Sequence, residues 1–282
     1  MNLWNAGQKV IERVLNTDNT GRPRMKLLDS EPGVNHGMCE MRVRTMNTHV
    51  DLWVRTGTTD MDLLGLILGR ESIYELPESV EPKVIFDIGA NIGIASVYFA
   101  MRYPKATIYS FEPLPENQLL LKRNTEIFAN IHIMPFGLSD KAGTFTYCMS
   151  NNANSYGGGT FCNVGHDPER SIELPVKTAA AVIKDLGIEQ VDVMKMDTEG
   201  SEFAILEGIP ENIVTSAQAY IGELHGIGDW QFCEKLSKTH EVGVDKRFNA
   251  RCFPFLAVRK DLANSAVEEV EQVDQDDQAE AA

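Results

Sequence analysis

Residues 84–100, VIFDIGANIGIASVYFA, leave few folds open to this chain. The apolar run 84–88 suits a strand covered on both faces, 94–102 has helical spacing, and the glycines between them mark a tight turn. The same alternation recurs downstream. Strand-like runs at 107–111, 131–136, 191–197 and 219–225 are separated by helical stretches at 116–128, 177–186, 201–209 and 230–238, with an extra strand at 143–150. Strands joined through helical crossovers imply an α/β fold with a doubly wound, mostly parallel sheet. The last two strand candidates, 242–248 and 253–258, have no helix between them and predict a terminal antiparallel pair.

The regular alternation begins after Pro82. The preceding part, 1–80, is expected to form an N-terminal α+β extension, with an amphipathic helix in MNLWNAGQKVIERVLN and short strands within 41–55. The main domain is expected over 81–262. The asparagine- and glycine-rich 151–159 reads equally as a lid or a plain surface loop. At the far end, 263–282 holds seven acids and no Lys or Arg, about half of the net charge of −15, and reads as an acidic disordered tail.

The remaining body is mildly acidic with no basic stripe, which argues against nucleic acid as a partner. No apolar run reaches the roughly 18 residues of a spanning helix. Five cysteines, Cys39, Cys148, Cys162, Cys233 and Cys252, form no CxxC pair and are expected to be small buried hydrophobes. With no cleavable leader in the N-terminal stretch, the expected location is cytoplasmic.

In a doubly wound sheet the ligand sits beyond the carboxyl ends of the strands. Gly89 and Gly93 frame the turn there, but Gly89-Ala90-Asn91-Ile92-Gly93 lacks the GxGxxG spacing of a pyrophosphate clamp. Asp87 would repel a pyrophosphate and suits an ammonium. Glu112 ends the next strand, where a carboxylate can accept both hydroxyls of a ribose. An acid for an ammonium and an acid for a ribose describe S-adenosylmethionine better than a nicotinamide dinucleotide. The alternatives are an NAD(P)-dependent oxidoreductase or epimerase on a similar sheet, and a non-catalytic binding module.

These residues, with the blocks VIFDIGANIGIAS, YSFEPLPEN, GLSD at 137–140, VDVMKMDTEGSE at 191–202 and ELH at 223–225, resemble the FkbM family of S-adenosylmethionine-dependent methyltransferases. RTGTTD at 55–60 and YELP at 74–77 resemble the family's lead-in. The resemblance implies a Rossmann-like class I methyltransferase sheet of seven strands. It also implies methionine-end roles for Asp87, Gly89, Asn91 and Gly93, a ribose role for Glu112, and an adenine position beside Ser139 and Asp140. The acceptor it implies is a hydroxyl on a sugar, glycan or small natural product, so a carbohydrate-containing partner is expected.

Methyl transfer to a hydroxyl needs in-line alignment and removal of a proton. Groups at the ends of the fourth and fifth strands face that point: Asp197 and Glu199, then Glu223 and His225. His225 has the side chain suited to proton transfer near neutrality and is the expected base, with Asp197 and Glu223 beside it. Asp197, Glu199 and Glu223 also form an oxygen-rich set of the kind Mg²⁺ takes.

Overall fold

The computed structural model describes residues 25–28, 37–44, 49–69, 72–148, 160–161, 171–226, 228–245 and 252–263. The expected N-terminal helix, the 151–159 loop and the tail from residue 264 lie outside them.

The central sheet follows the expected alternation. Strands β4 (Val84–Ile88), β5 (Thr107–Phe111), β6 (Ile131–Met134), β11 (Val193–Met196), β12 (Ala219–Leu224), β13 (His240–Val244) and β14 (Phe253–Arg259) form seven strands in the order β13-β14-β12-β11-β4-β5-β6. The neighbours from β12 to β6 pair in parallel, and β14 runs antiparallel to both β12 and β13. The terminal hairpin therefore folds back so that the last strand enters between the fifth and the edge. This is the Rossmann-like class I methyltransferase sheet.

Successive residues on each strand serve opposite faces, and the sequence fills both with apolar side chains. Ile85, Ile108, Val193 and Ile221 belong to one core, while Phe86, Phe111, Met194, Met196 and Tyr220 belong to the other. Helices α2 (Ile94–Arg102) and α3 (Pro115–Thr125) cross from β4 to β5 and from β5 to β6. The second core is closed by α4 (Ala179–Asp185), α5 (Glu202–Glu207), α6 (Glu211–Ser216) and α7 (Asp229–Leu236).

Two smaller sheets attach to this frame. In the first, β1 (Met25–Leu28), β2 (Met38–Arg44) and β3 (His49–Arg55) form an antiparallel meander followed by α1 (Asp60–Leu68). Met38, Met41, Leu52, Val54 and Leu64 share one core with Val97 and Phe99 of α2, so the N-terminal strands are packed onto the sheet's own core. In the second, β7 (Gly137–Ser139), β8 (Gly143–Cys148), β9 (Thr160–Phe161) and β10 (Ser171–Thr178) are ordered β7-β10-β8-β9. Pro175 obscures β10 in the sequence, because proline normally excludes an inner strand. Here Leu174 and Val176 are buried on one face and hold the strand in place. One cysteine departs from the expectation of small buried hydrophobes: Cys148 is disulfide-bonded, while Cys39, Cys233 and Cys252 are free.

Asn124 fastens the N-terminal meander to the main sheet. It is buried; its Oδ1 accepts the Trp53 amide at 2.7 Å, and its Nδ2 donates to the Trp53 and Ile92 carbonyls at 3.0 and 2.8 Å. Asn124→Ala takes the partner from three backbone groups, the buried Ile92 carbonyl and the part-buried Trp53 amide and carbonyl, and a loss of about 2–3 kcal/mol in urea unfolding is expected. An unchanged midpoint would remove this fastening role.

Candidate functional site

A cavity of about 250 Å³ opens at the carboxyl ends of β4, β5, β11 and β12. Its floor is the turn after β4, which holds three left-handed residues: Gly89 (φ 79°), Asn91 (φ 51°) and Gly93 (φ 90°). A Cβ on Gly89 would lie 2.0 Å from the Asp197 carbonyl oxygen, so the turn and the end of β11 approach as closely as bare backbone allows. The Gly89 and Ala90 amides donate to the Phe111 carbonyl at 3.1 and 2.9 Å.

Glu112 stands where that turn meets the end of β5. Only 4% exposed, its Oε2 accepts the Asn91 amide at 2.8 Å and its Oε1 the Leu114 amide at 2.9 Å. Burial raises its carboxyl above the usual range, opposed first by these two amides and then by the Asn117 side chain and Lys195. The carboxylate borders the cavity.

The Asn91 side chain is held from the N-terminal meander. Arg55, fully buried, grips the Asp60 oxygens through Nε at 2.8 Å and Nη2 at 2.9 Å. Its Nη1 donates to Asn117 Oδ1 at 2.9 Å and its Nη2 to Asn91 Oδ1 at 3.3 Å. A guanidinium presents donors in a rigid fork, so one side chain fixes three partners.

Asp87 occupies a different setting from the ammonium seat expected of it. Register places it beside Lys195 on β11 and Ser110 on β5. It is fully buried, with Oδ2 accepting from Ser96 Oγ at 2.6 Å and Oδ1 lying 3.3 Å from Lys195 Nζ. Lys195 is 2% exposed and donates to the Gly89 carbonyl at 2.6 Å. Burial works against its charge, yet Asp87 and Asp197 hold the ammonium above the usual lysine range. The cation facing Asp87 is thus the protein's own, and the acid does not border the cavity.

Across the cavity, His225 is enclosed by acids. Its Nδ1 is 3.1 Å from Glu202 Oε1, and its Nε2 is 3.3 Å from Glu223 Oε2 and 3.8 Å from Asp197 Oδ1. Burial favours neutral imidazole, but Glu202 and Glu223 outweigh it and push the pKa up to about 11. With a carboxylate at each nitrogen, both nitrogens are donors and the ring is an imidazolium at neutral pH. The base role expected for His225 therefore needs correcting: its lone pair is already taken by a proton.

Asp197 accepts from the buried Tyr74 hydroxyl at 3.1 Å, and burial raises its carboxyl. The expected Mg²⁺ set is grouped otherwise than foreseen. Asp197 and Glu199 come together with His225, while Glu223 comes together with His225 and Cys252. Each group thus contains the His225 ring, and one of them a thiol, where Mg²⁺ takes oxygen ligands. The residues do not fit a resident Mg²⁺.

Gly89, Asn91, Glu112, Asp197, Glu199 and Glu223 border the cavity; Asp87, Gly93, His225, Ser139 and Asp140 do not. Gly137 and Leu138 line it in place of the last two, and Asp140 is exposed, accepting from Ser139 Oγ at 3.1 Å. Sequence reasoning passed over Arg55, Tyr74, Asn117 and Lys195. For Lys195 the signal was available: a lysine inside an otherwise apolar four-residue strand has to find a buried partner.

Residues 87–252, more than half of the chain, match the model of the methyltransferase FkbM domain. Methyltransferase sdnD of Sordaria araneosa is 28% identical over 167 residues, which cover 49% of this chain and 64% of that protein. The chain thus spans just under two thirds of that relative's length. Hexuronic acid methyltransferase AglP of Haloferax volcanii is 25% identical over 205 residues, covering 71% of this chain and 77% of that protein. The 2-O-methyltransferase NoeI of Sinorhizobium fredii is 24% identical, covering 54% of this chain and 67% of that protein.

Proposed function

The chain belongs to the methyltransferase FkbM domain family, and from that premise we propose that it transfers the methyl group of S-adenosylmethionine to a hydroxyl of a carbohydrate-type acceptor. The observation that carries the cofactor assignment is Glu112: a buried carboxylate at the end of β5, pre-oriented by the Asn91 and Leu114 amides and bordering the cavity. Such a group matches the two adjacent hydroxyls of a ribose. The close approach of Gly89 to the Asp197 backbone leaves no room for a Cβ and fixes the turn at the edge of the cavity.

The residues therefore fit the cofactor. Glu112 would hold the ribose; Phe111, Pro113, Leu138 and Ile205 offer apolar wall for the adenine; Gly89 and Asn91 would flank the methionine end. When bound, the sulfonium supplies an electrophilic methyl group whose leaving sulfur keeps the bonding pair. The chain's part is to orient the acceptor oxygen toward that methyl and to remove its proton. Two relatives support the acceptor class by name, one a hexuronic acid methyltransferase and one a 2-O-methyltransferase.

Calorimetric titration with S-adenosylhomocysteine tests the reading. Glu112→Ala is expected to weaken binding by at least about tenfold, the loss of a charge-assisted bond pair. Equal affinity in the variant, or no heat with the unaltered protein, would sink the assignment. Incubation with methyl-labelled S-adenosylmethionine and a glycan extract of the producing cells then reports the acceptor.

A further inference from the structure

With His225 protonated, the cavity needs another group to receive the acceptor's proton, and the surrounding acids differ sharply in how far their oxygens are engaged. Glu202 is buried and takes the Thr198 and Gly200 amides besides His225. Glu223 lies against His225, and Asp197 accepts from Tyr74 and faces Lys195 at 3.9 Å. Glu199 borders the cavity and, among the described residues, makes no hydrogen bond or ion pair.

Its backbone is left-handed at φ 56°, followed by Gly200 at φ 105°. A non-glycine residue held in that region marks a place where the fold sets a side chain against its own preference. The two residues carry the chain from the end of β11 into α5, so the glutamate is kept out of the helix and at the cavity wall.

We propose that Glu199 is the catalytic base of this protein, accepting the proton of the acceptor hydroxyl during methyl transfer. The inference rests on the methyltransferase reading above. As the acceptor oxygen forms its bond to the methyl carbon, the carbon–sulfur bond breaks and its electron pair stays on sulfur as a thioether. The hydroxyl proton passes to the Glu199 carboxylate and from there to solvent.

The environment suits this exchange. Burial pushes the Glu199 carboxyl up to about 7, His225 opposes the shift, and Asp197, Glu223 and Glu202 add to it. A carboxylate of that strength holds a proton loosely near neutrality, where a base works best.

The test compares the unaltered full chain with Glu199→Gln and Glu199→Asp, using tritiated S-adenosylmethionine with the glycan extract, and calorimetry with S-adenosylhomocysteine. Glu199→Gln is expected to keep cofactor-product affinity within about threefold and to lose transfer by at least about a hundredfold. Glu199→Asp is expected to retain part of the rate. In the unaltered protein the rate is expected to rise with pH through about 7, and this rise is expected to vanish in Glu199→Gln.

Transfer by Glu199→Gln at near the unaltered rate, persistence of the pH rise, or a parallel loss of affinity and transfer would each overturn the base role alone. Absence of transfer by the unaltered protein, with the homocysteine product failing to bind, would overturn the methyltransferase reading and this inference together.

Discussion

Lys195→Met is expected to cost about 3–5 kcal/mol of unfolding free energy, because it removes one partner of a buried ion pair and strands the other. Asp87 and Lys195 sit side by side in the sheet, 0% and 2% exposed. The methionine fills nearly the same volume, so the cost is electrical: Asp87 Oδ1 has no hydrogen-bond donor and would lose the ammonium 3.3 Å away. The Gly89 carbonyl would lose its 2.6 Å donor as well. The companion variant separates these effects. Combining Lys195→Met with Asp87→Asn removes the uncompensated charge and is expected to recover most of the stability, giving a coupling of roughly 2 kcal/mol in a double-mutant cycle. Additive losses would show that the pair is not the unit described.

The second large effect belongs to the glycine turn. Gly89→Ala is expected to abolish S-adenosylhomocysteine binding and to lower stability by more than about 3 kcal/mol, by a clash added to a backbone penalty. The two contributions can be told apart within this chain. Gly187 has a similar left-handed φ of 64° with nothing within 4 Å of a built Cβ, whereas the Cβ on Gly89, at φ 79°, meets the Asp197 oxygen at 2.0 Å. Gly187→Ala therefore measures the backbone penalty alone, about 1–2 kcal/mol, and the excess at Gly89 measures the closeness of β4 and β11. Similar losses at the two sites in thermal unfolding would refute the contact. Product binding by the Gly89 variant would remove the turn from the cofactor site.

The architecture was legible because a parallel sheet buried on both faces writes itself as short apolar runs, and the runs ending at Ile88, Phe111 and Leu224 are mostly apolar and free of proline. β10 was not, since Pro175 argues locally against a strand that tertiary packing nonetheless keeps. The acids of the cavity were legible as types placed at strand ends. Their charge states were not. Whether a histidine is a base or an imidazolium depends on what stands 3 Å from each nitrogen. Glu202 reaches His225 across 23 residues of chain, a contact no local spacing announces. The setting of Asp87 is hidden for the same reason: its counter-charge comes from a strand more than a hundred residues away.

The arginine at residue 55 lies 32 positions ahead of the stretch that matches the family model, yet it donates to the Asn91 side-chain oxygen in the turn after β4. The region matching the family model is therefore not self-sufficient. A methyltransferase core grafted onto a foreign leading segment would arrive with Asn91 and Asn117 short of a shared donor. Only a donor segment bringing its own arginine and helix-starting aspartate would restore it. Modular exchange in this fold is constrained at residues 55–60, upstream of any boundary drawn from the catalytic core.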